Sequence, residues 1–287
     1  MNRLKLELGI YKMGYETIEI TPMTPRIGAE VSGIDLTKSL GNQQFQELHD
    51  ALMEHSVLFF RNQEVDVEQH KNFGRLFGDL HIHPGSPPPP GHPEILIVHA
   101  DKNSKHIAGE NWHSDVTCDA EPPMGSILHL WEVPKSGGDT LFASMEAAYD
   151  DLSERMKIYL DGLNATHSGE QIYRGRYNNQ KHDDTNVTYP RNVHPVVRTH
   201  PVTGRKSIFV NKTFTTHINE IPKAESDSVL AFLYSHCAKP DYQVRFKWQP
   251  HSIAFWDNRC VQHLALWDYY PQVRSGYRVT VKGDKPF

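Results

Sequence analysis

From Ile95 onward the pattern is one of seven short segments, "EILIVHA", "GSILHLWEV", "GDTLFAS", "KSIFVN", "YQVRFKWQ", "SIAFWD" and "GYRVTVKG". Each is rich in β-branched or aromatic residues and is cut off by Gly, Pro or Asp, the pattern of short strands joined by turns. Only two helical stretches interrupt them, Met145 to Leu163 and Pro222 to Cys237, the second with Val229, Leu230, Phe232 and Leu233 to bury. A parallel sheet needs a helical crossover between successive strands. The spacing therefore predicts a mainly β fold, an all-β barrel or double-sheet jelly roll with helices packed outside.

The N-terminal part reads differently. Asn42 to His55 carries Phe45, Leu48 and Leu52 on one helical face, and "VLFFR" after it is a continuous apolar run expected to be a buried strand. "VDVEQHKNFGRLFG" predicts a second helix with Phe73, Leu76 and Phe77 on its core side. "HIHPGSPPPPGHPE" must be a loop, because proline fixes φ and lacks a donor. The polar stretch from Tyr173 to Asn192 is expected to be a long insertion or lid. Residues 1 to 12 are expected to be a poorly fixed extension, before a single domain spanning 13 to 287.

Composition narrows the function. The formal charge is -5, and no block of basic residues occurs, which argues against nucleic acid as a partner. No apolar run reaches membrane-spanning length, so no membrane partner is expected. The three cysteines, Cys118, Cys237 and Cys260, form no Cys-X-X-Cys pair, so neither a disulfide framework nor a thiolate zinc site is indicated. A cytoplasmic protein fits these features.

The stretch "ENWHSDVTC" places His113 and Asp115 two residues apart. In an extended segment both side chains would point the same way and reach one point. His263, in "WDNRCVQHLALWDY", supplies a third ligand on a late strand. Two histidines and one carboxylate leave the opposite positions of a metal open, the arrangement of non-haem iron oxygenases. By itself a His-X-Asp triplet also fits a surface histidine beside an aspartate, in a chain with 18 histidines.

Several motifs occur together and in order: "GDLHIHP", "NWHSDVT", "SGGDTLF", "HPVVRTHPVTGRKSIFVN", "WDNRCVQH" and "YRVTVKGDKPF". On these the chain resembles the taurine dioxygenase family of iron(II)- and 2-oxoglutarate-dependent oxygenases, which includes alkylsulfatases and aryloxyalkanoate dioxygenases. The resemblance runs from "ITPMTPRIGAEVSGIDLT" to the C-terminal "GDKPF". It implies a double-stranded β-helix core of the jelly-roll, cupin-like kind, and cytoplasmic dimers or tetramers. It implies iron(II), 2-oxoglutarate and dioxygen as cofactor and cosubstrates, with iron ligands at His113, Asp115 and His263.

By the same resemblance Thr140 and Arg274 hold the distal carboxylate of 2-oxoglutarate, a task that suits a planar guanidinium with a hydroxyl beside it. Arg278 and His83 match contacts to the anionic head group of the primary substrate, and Phe214, Tyr173 and Val116 match the pocket walls. The implied reaction yields succinate and carbon dioxide and hydroxylates the substrate beside a sulfonate, sulfate or ether oxygen, so that a C–S or C–O bond then breaks. Ser86 stands where taurine-specific members carry a tyrosine, and Ala108 and Gly109 stand where they carry ammonium-binding acidic and amide residues. The expected substrate is therefore an alkyl sulfonate, alkyl sulfate or aryloxyalkanoate rather than taurine. Two other readings of the same ligands stay open on the sequence: a non-catalytic jelly roll that senses a small anion, and a zinc hydrolase. Neither needs a dicarboxylate clamp.

Overall fold

A computed structural model describes residues 14–83, 88–107, 109–174 and 187–287. The fold is mainly β with flanking helices around a jelly-roll core. Its largest sheet has seven strands, in the order Glu19–Pro22, Ala29–Ser32, Val57–Phe60, Ser252–Asp257, Gly125–Glu132, Arg274–Val281 and Ile95–Ala100. All pairs in it are antiparallel except Ala29–Ser32 with Val57–Phe60. A second sheet sets Thr140–Ser144 between Gln243–Phe246 and Val261–Ala265, and a third sets Asn164–Ser168 between Thr215–Ile218 and Arg191–Pro195.

The apolar run "VLFF" shows why the large sheet is central. Its side chains alternate between two cores: Val57 and Phe59 face the second sheet, and Leu58 and Phe60 face the helices. Ile253, Ala254, Phe255 and Trp256 alternate in the same way one strand over. A strand buried on both faces reads as a continuous hydrophobic run, and this one does. Phe59 stacks on Phe246 of the second sheet at 4.1 Å and meets Phe142 edge-on at 5.5 Å, which ties the two sheets together.

The helix Asn42–His55 has the predicted bounds and buries Leu48, Ala51 and Leu52. The second helix is shorter than its pattern suggested, Val67–Arg75, because Asp66 caps its start in a capping box with Gln69. Leu76 is 43% exposed rather than in the core. The helix lies so close to the large sheet at Gly74 that an added Cβ would sit 2.8 Å from Val279, and this contact turns Leu76 outward. The stretch from Met145 to Leu163 is two helices, Met145–Asp150 and Glu154–Leu160, because Ser153 leaves helical geometry and caps the second through the Met156 N–H. Of the expected proline loop and polar insertion, residues 84–87 and 175–186 lie outside the described residues, as does the expected N-terminal extension.

Candidate active site

The strand Val261–Ala265 pairs with Thr140–Ser144 along one edge and with a single residue, His113, along the other. The His113 N–H donates to the His263 carbonyl at 3.2 Å and the His263 N–H to the His113 carbonyl at 2.8 Å. Directly opposed residues of an antiparallel pair project to the same face. The two rings accordingly lie 4.1 Å apart.

Asp115 does not continue an extended segment, as the spacing alone suggested. It opens a tight turn in which Val116 has φ of +48°, a left-handed conformation that a β-branched residue rarely takes. Asn258 holds this turn: its side-chain oxygen accepts from the Asp115 N–H, and its amide donates to the carbonyls of Asp115 at 2.9 Å and Pro123 at 3.1 Å. The result is Asp115 Oδ1 at 3.6 Å from His113 Nε2.

Ligand atoms of His113, Asp115 and His263 all lie within 4.8 Å of one another, and all three residues are buried. His113 Nδ1 is 2.8 Å from the Asn111 carbonyl, so this nitrogen carries a proton and Nε2 is the one turned toward Asp115. Burial and the neighbouring His113 hold the His263 pKa well below the ordinary value, so this ring is a neutral donor. Burial alone would raise the Asp115 pKa, but the Arg278 guanidinium and the two neighbouring histidines together more than offset it and keep the carboxylate ionised. Two imidazoles and one carboxylate converging in this way fit iron(II) by donor type and number.

The two oxygens of Asp115 have different partners. Oδ2 accepts from the Ser126 hydroxyl at 2.8 Å, and Oδ1 accepts from Arg278 Nη1 at 2.7 Å. An ionised carboxylate only accepts, so the Ser126 proton is committed to it, and Thr280 Oγ1, 3.4 Å behind, must donate to Ser126.

Arg274 and Arg278 alternate to the same face of the strand Arg274–Val281, four residues apart. Both are buried. Arg274 has no carboxylate partner among the described residues; it donates to the Gly138 carbonyl at 3.1 Å and to Thr140 Oγ1 at 3.2 Å. Burial pushes its pKa down to about 10. Thr140 Oγ1 also accepts from Trp248 Nε1 at 3.0 Å. A hydroxyl has two lone pairs and one proton, so with both lone pairs occupied the Thr140 proton is free to donate. Arg274 and Thr140 thus form a buried set of donors that a carboxylate would complete.

A pocket of about 290 Å³ opens onto His113, Asp115 and Arg278. Val116, Tyr173, Phe214 and His83 line its inner part, and Leu96, Ile97, Ile107 and Ile172 add apolar wall. His263, Thr140 and Arg274 are not part of that lining. The His83 ring meets Tyr173 edge-on at 5.9 Å. Burial and then Arg278 push its pKa down to about 3, so it enters the pocket as a neutral imidazole. Of the residues expected to distinguish this chain from taurine-specific members, Ser86 and Ala108 lie outside the described residues. Gly109 has φ of +87°, and an added Cβ would stand 3.2 Å from the His113 ring, so a larger residue there would press on it.

Sequence reasoning missed Ser126, Asn258 and Trp248, each of which orients one of the expected site residues. Trp256, beside the motif, packs its ring 4.7 Å from His263 and is 1% exposed, whereas Trp112 packs on the core around the third sheet. Glu110 and His106, also unforeseen, stand exposed at the pocket. Among the described residues no helix is long and apolar enough to cross a membrane.

Residues 19–280 match the model of the Taurine catabolism dioxygenase TauD, TfdA family. An alkylsulfatase of Acinetobacter baylyi is 38% identical over 280 residues, covering 94% of this chain and 86% of its own. An alpha-ketoglutarate-dependent sulfonate dioxygenase of Saccharomyces cerevisiae is 35% identical over 283 residues, covering 94% and 68%. The crystal structure of a taurine dioxygenase from Burkholderia xenovorans superposes with a TM-score of 0.81 at 34% identity, covering 94% of this chain and 91% of that one. The chain belongs to the TauD, TfdA family, and it is a dioxygenase that depends on iron(II), 2-oxoglutarate and dioxygen.

Proposed function

We propose that His113, Asp115 and His263 hold the iron, that Thr140 and Arg274 take the distal carboxylate of 2-oxoglutarate, and that Arg278 with His83 takes the anionic head of the primary substrate. Bound iron supplies activation of dioxygen, one oxygen atom going to succinate as carbon dioxide leaves and the other to a substrate C–H bond. The protein's own part is positioning. Arg278 lines the pocket and touches the ligand Asp115, so an anion held by it has its adjacent carbon next to the metal side of the pocket. Val116, Tyr173 and Phe214 wall that place and keep water from it.

The observation that carries this reading is the buried Arg274 guanidinium, paired with hydroxyl and carbonyl oxygens but with no carboxylate among the described residues. Neither a zinc hydrolase nor an anion sensor calls for such a clamp. The expected substrates are alkyl sulfonates, alkyl sulfates or aryloxyalkanoates, supported by apolar walls at Leu96, Ile97, Ile107 and Ile172. We further propose a cytoplasmic homo-oligomer of a single domain spanning 13 to 287; three buried, unpaired thiols favour a reducing compartment, and light scattering checks the oligomer.

The test is an anaerobic visible titration of the apoprotein with iron(II), then 2-oxoglutarate, then each candidate substrate. A charge-transfer band that needs both iron and 2-oxoglutarate, and shifts with one candidate, is the expected result. Arg274→Leu should remove the 2-oxoglutarate step while iron still binds, and an unchanged cosubstrate affinity would sink the assignment. If taurine outcompetes the other candidates, the argument from Ser86, Ala108 and Gly109 is wrong.

A further inference from the structure

We infer that Trp248 is a positioning residue for 2-oxoglutarate: its indole N–H fixes the direction of the Thr140 hydroxyl, and its ring steadies Arg274. The inference rests on the cosubstrate reading of Thr140 and Arg274 above. Trp248 is 5% exposed and donates from Nε1 to Thr140 Oγ1 at 3.0 Å. The Arg274 guanidinium lies over its ring, 5.4 Å from the centroid. One side chain therefore touches both members of the clamp.

The consequence follows from hydroxyl valence. Without Trp248, Thr140 accepts from Arg274 alone, and its proton competes with a second acceptor direction that is now open. With Trp248 donating, the remaining direction belongs to the proton. The hydroxyl then meets a carboxylate as a donor with no reorientation, which is where preorganised donors gain over those that must turn. An indole is suited to this because it only donates. It cannot reverse the polarity of the pair, as a serine or histidine could.

Trp248→Phe keeps a flat ring beneath Arg274 and removes only the donor. The protein is loaded with manganese(II), and binding of 2-oxoglutarate is compared with binding of 2-oxobutyrate, which lacks the distal carboxylate. Losing one orienting hydrogen bond should weaken 2-oxoglutarate by roughly 3- to 10-fold and leave 2-oxobutyrate and manganese affinities unchanged. In a Thr140→Val background the tryptophan change should then have no further effect on 2-oxoglutarate, since the partner through which it acts is gone.

Equal weakening of both keto acids, additive effects of the two substitutions, or an unchanged 2-oxoglutarate affinity in Trp248→Phe would each overturn the inference. Should the native protein fail to bind 2-oxoglutarate at all, the proposed function itself falls and this inference with it. Should it bind normally while Trp248→Phe behaves like the native protein, only the inference falls.

Discussion

Replacing Ser126 by alanine tests whether the proposed metal-binding carboxylate, Asp115, is held one oxygen at a time. Ser126 is fully buried, and its hydroxyl donates to Asp115 Oδ2 at 2.8 Å. Hydrogen bonds to charged groups contribute about 1.5–3 kcal/mol, because the charged partner is left short of a donor when they are removed. Without that bond the Asp115 carboxylate is free to leave the orientation that faces the two histidines, and it must be ordered again when a metal binds. In the loaded protein the freed oxygen can turn toward the metal, which offsets part of the loss. Outer partners of metal ligands typically matter by about 10- to 100-fold in affinity, or about 1.4–2.7 kcal/mol, and Ser126→Ala should fall in that window. Cobalt(II) titration followed in the visible measures it directly, and the spectrum should also change as Asp115 gains a second bonding oxygen. Thr280→Val, acting one step further back at 3.4 Å, should move both readouts the same way and less. A cobalt affinity within twofold of the native value, with an unchanged spectrum, would refute the reasoning, whatever the melting temperature does.

Two further expectations concern stability. Phe59→Ala removes a fully buried ring stacked on Phe246 and edge-on to Phe142, and should cost about 3–5 kcal/mol in urea unfolding; a loss below 1 kcal/mol would mean that the two sheets are not joined there. Glu146 is buried, and burial raises its pKa to about 7 despite the Arg205 guanidinium 2.9 Å away. The folded chain therefore binds a proton that the unfolded chain has lost between about pH 4.5 and 7, and stability falls as pH rises through that interval. Glu146→Gln should flatten this part of the stability profile, and an identical slope in both proteins would show that the carboxyl does not titrate there.

Much of the fold is legible in the residue pattern because burial on one or two faces writes itself into the sequence. "VLFF" lies between two cores and is apolar throughout; Asn42–His55 covers one core and is apolar on a stripe. Where the pattern misleads, a local contact intervenes. Ser153 divides a continuous-looking helix by capping, and close approach at Gly74 decides which side of the next helix meets the sheet. Short strands such as Asn164–Ser168 and Thr215–Ile218 escaped notice because histidines and threonines fill them, and their pairing lies in register rather than in composition.

The site divides along the same line. His113, Asp115, His263, Thr140 and Arg278 stand in motifs whose order along the chain can be read, Arg274 lies three residues before one, and the candidate metal donors are chemically distinctive. Ser126 and Trp248 carry no such mark, and Asn258, although inside "WDNRCVQH", shows nothing there of what it holds: each is an ordinary residue until strand pairing and turn geometry bring it against a site residue. Ser126 reaches Asp115 across 11 positions of chain, Trp248 reaches Thr140 across 108, and Asn258 reaches Asp115 across 143. The left-handed turn at Val116 likewise contradicts the local preference of a valine and persists because Asn258 grips the backbone of Asp115. By itself the sequence determined which groups are the candidates for chemistry, since ligand type and charge belong to single residues. Only the tertiary structure decided which way each of those groups points, since a hydrogen-bond direction belongs to a pair.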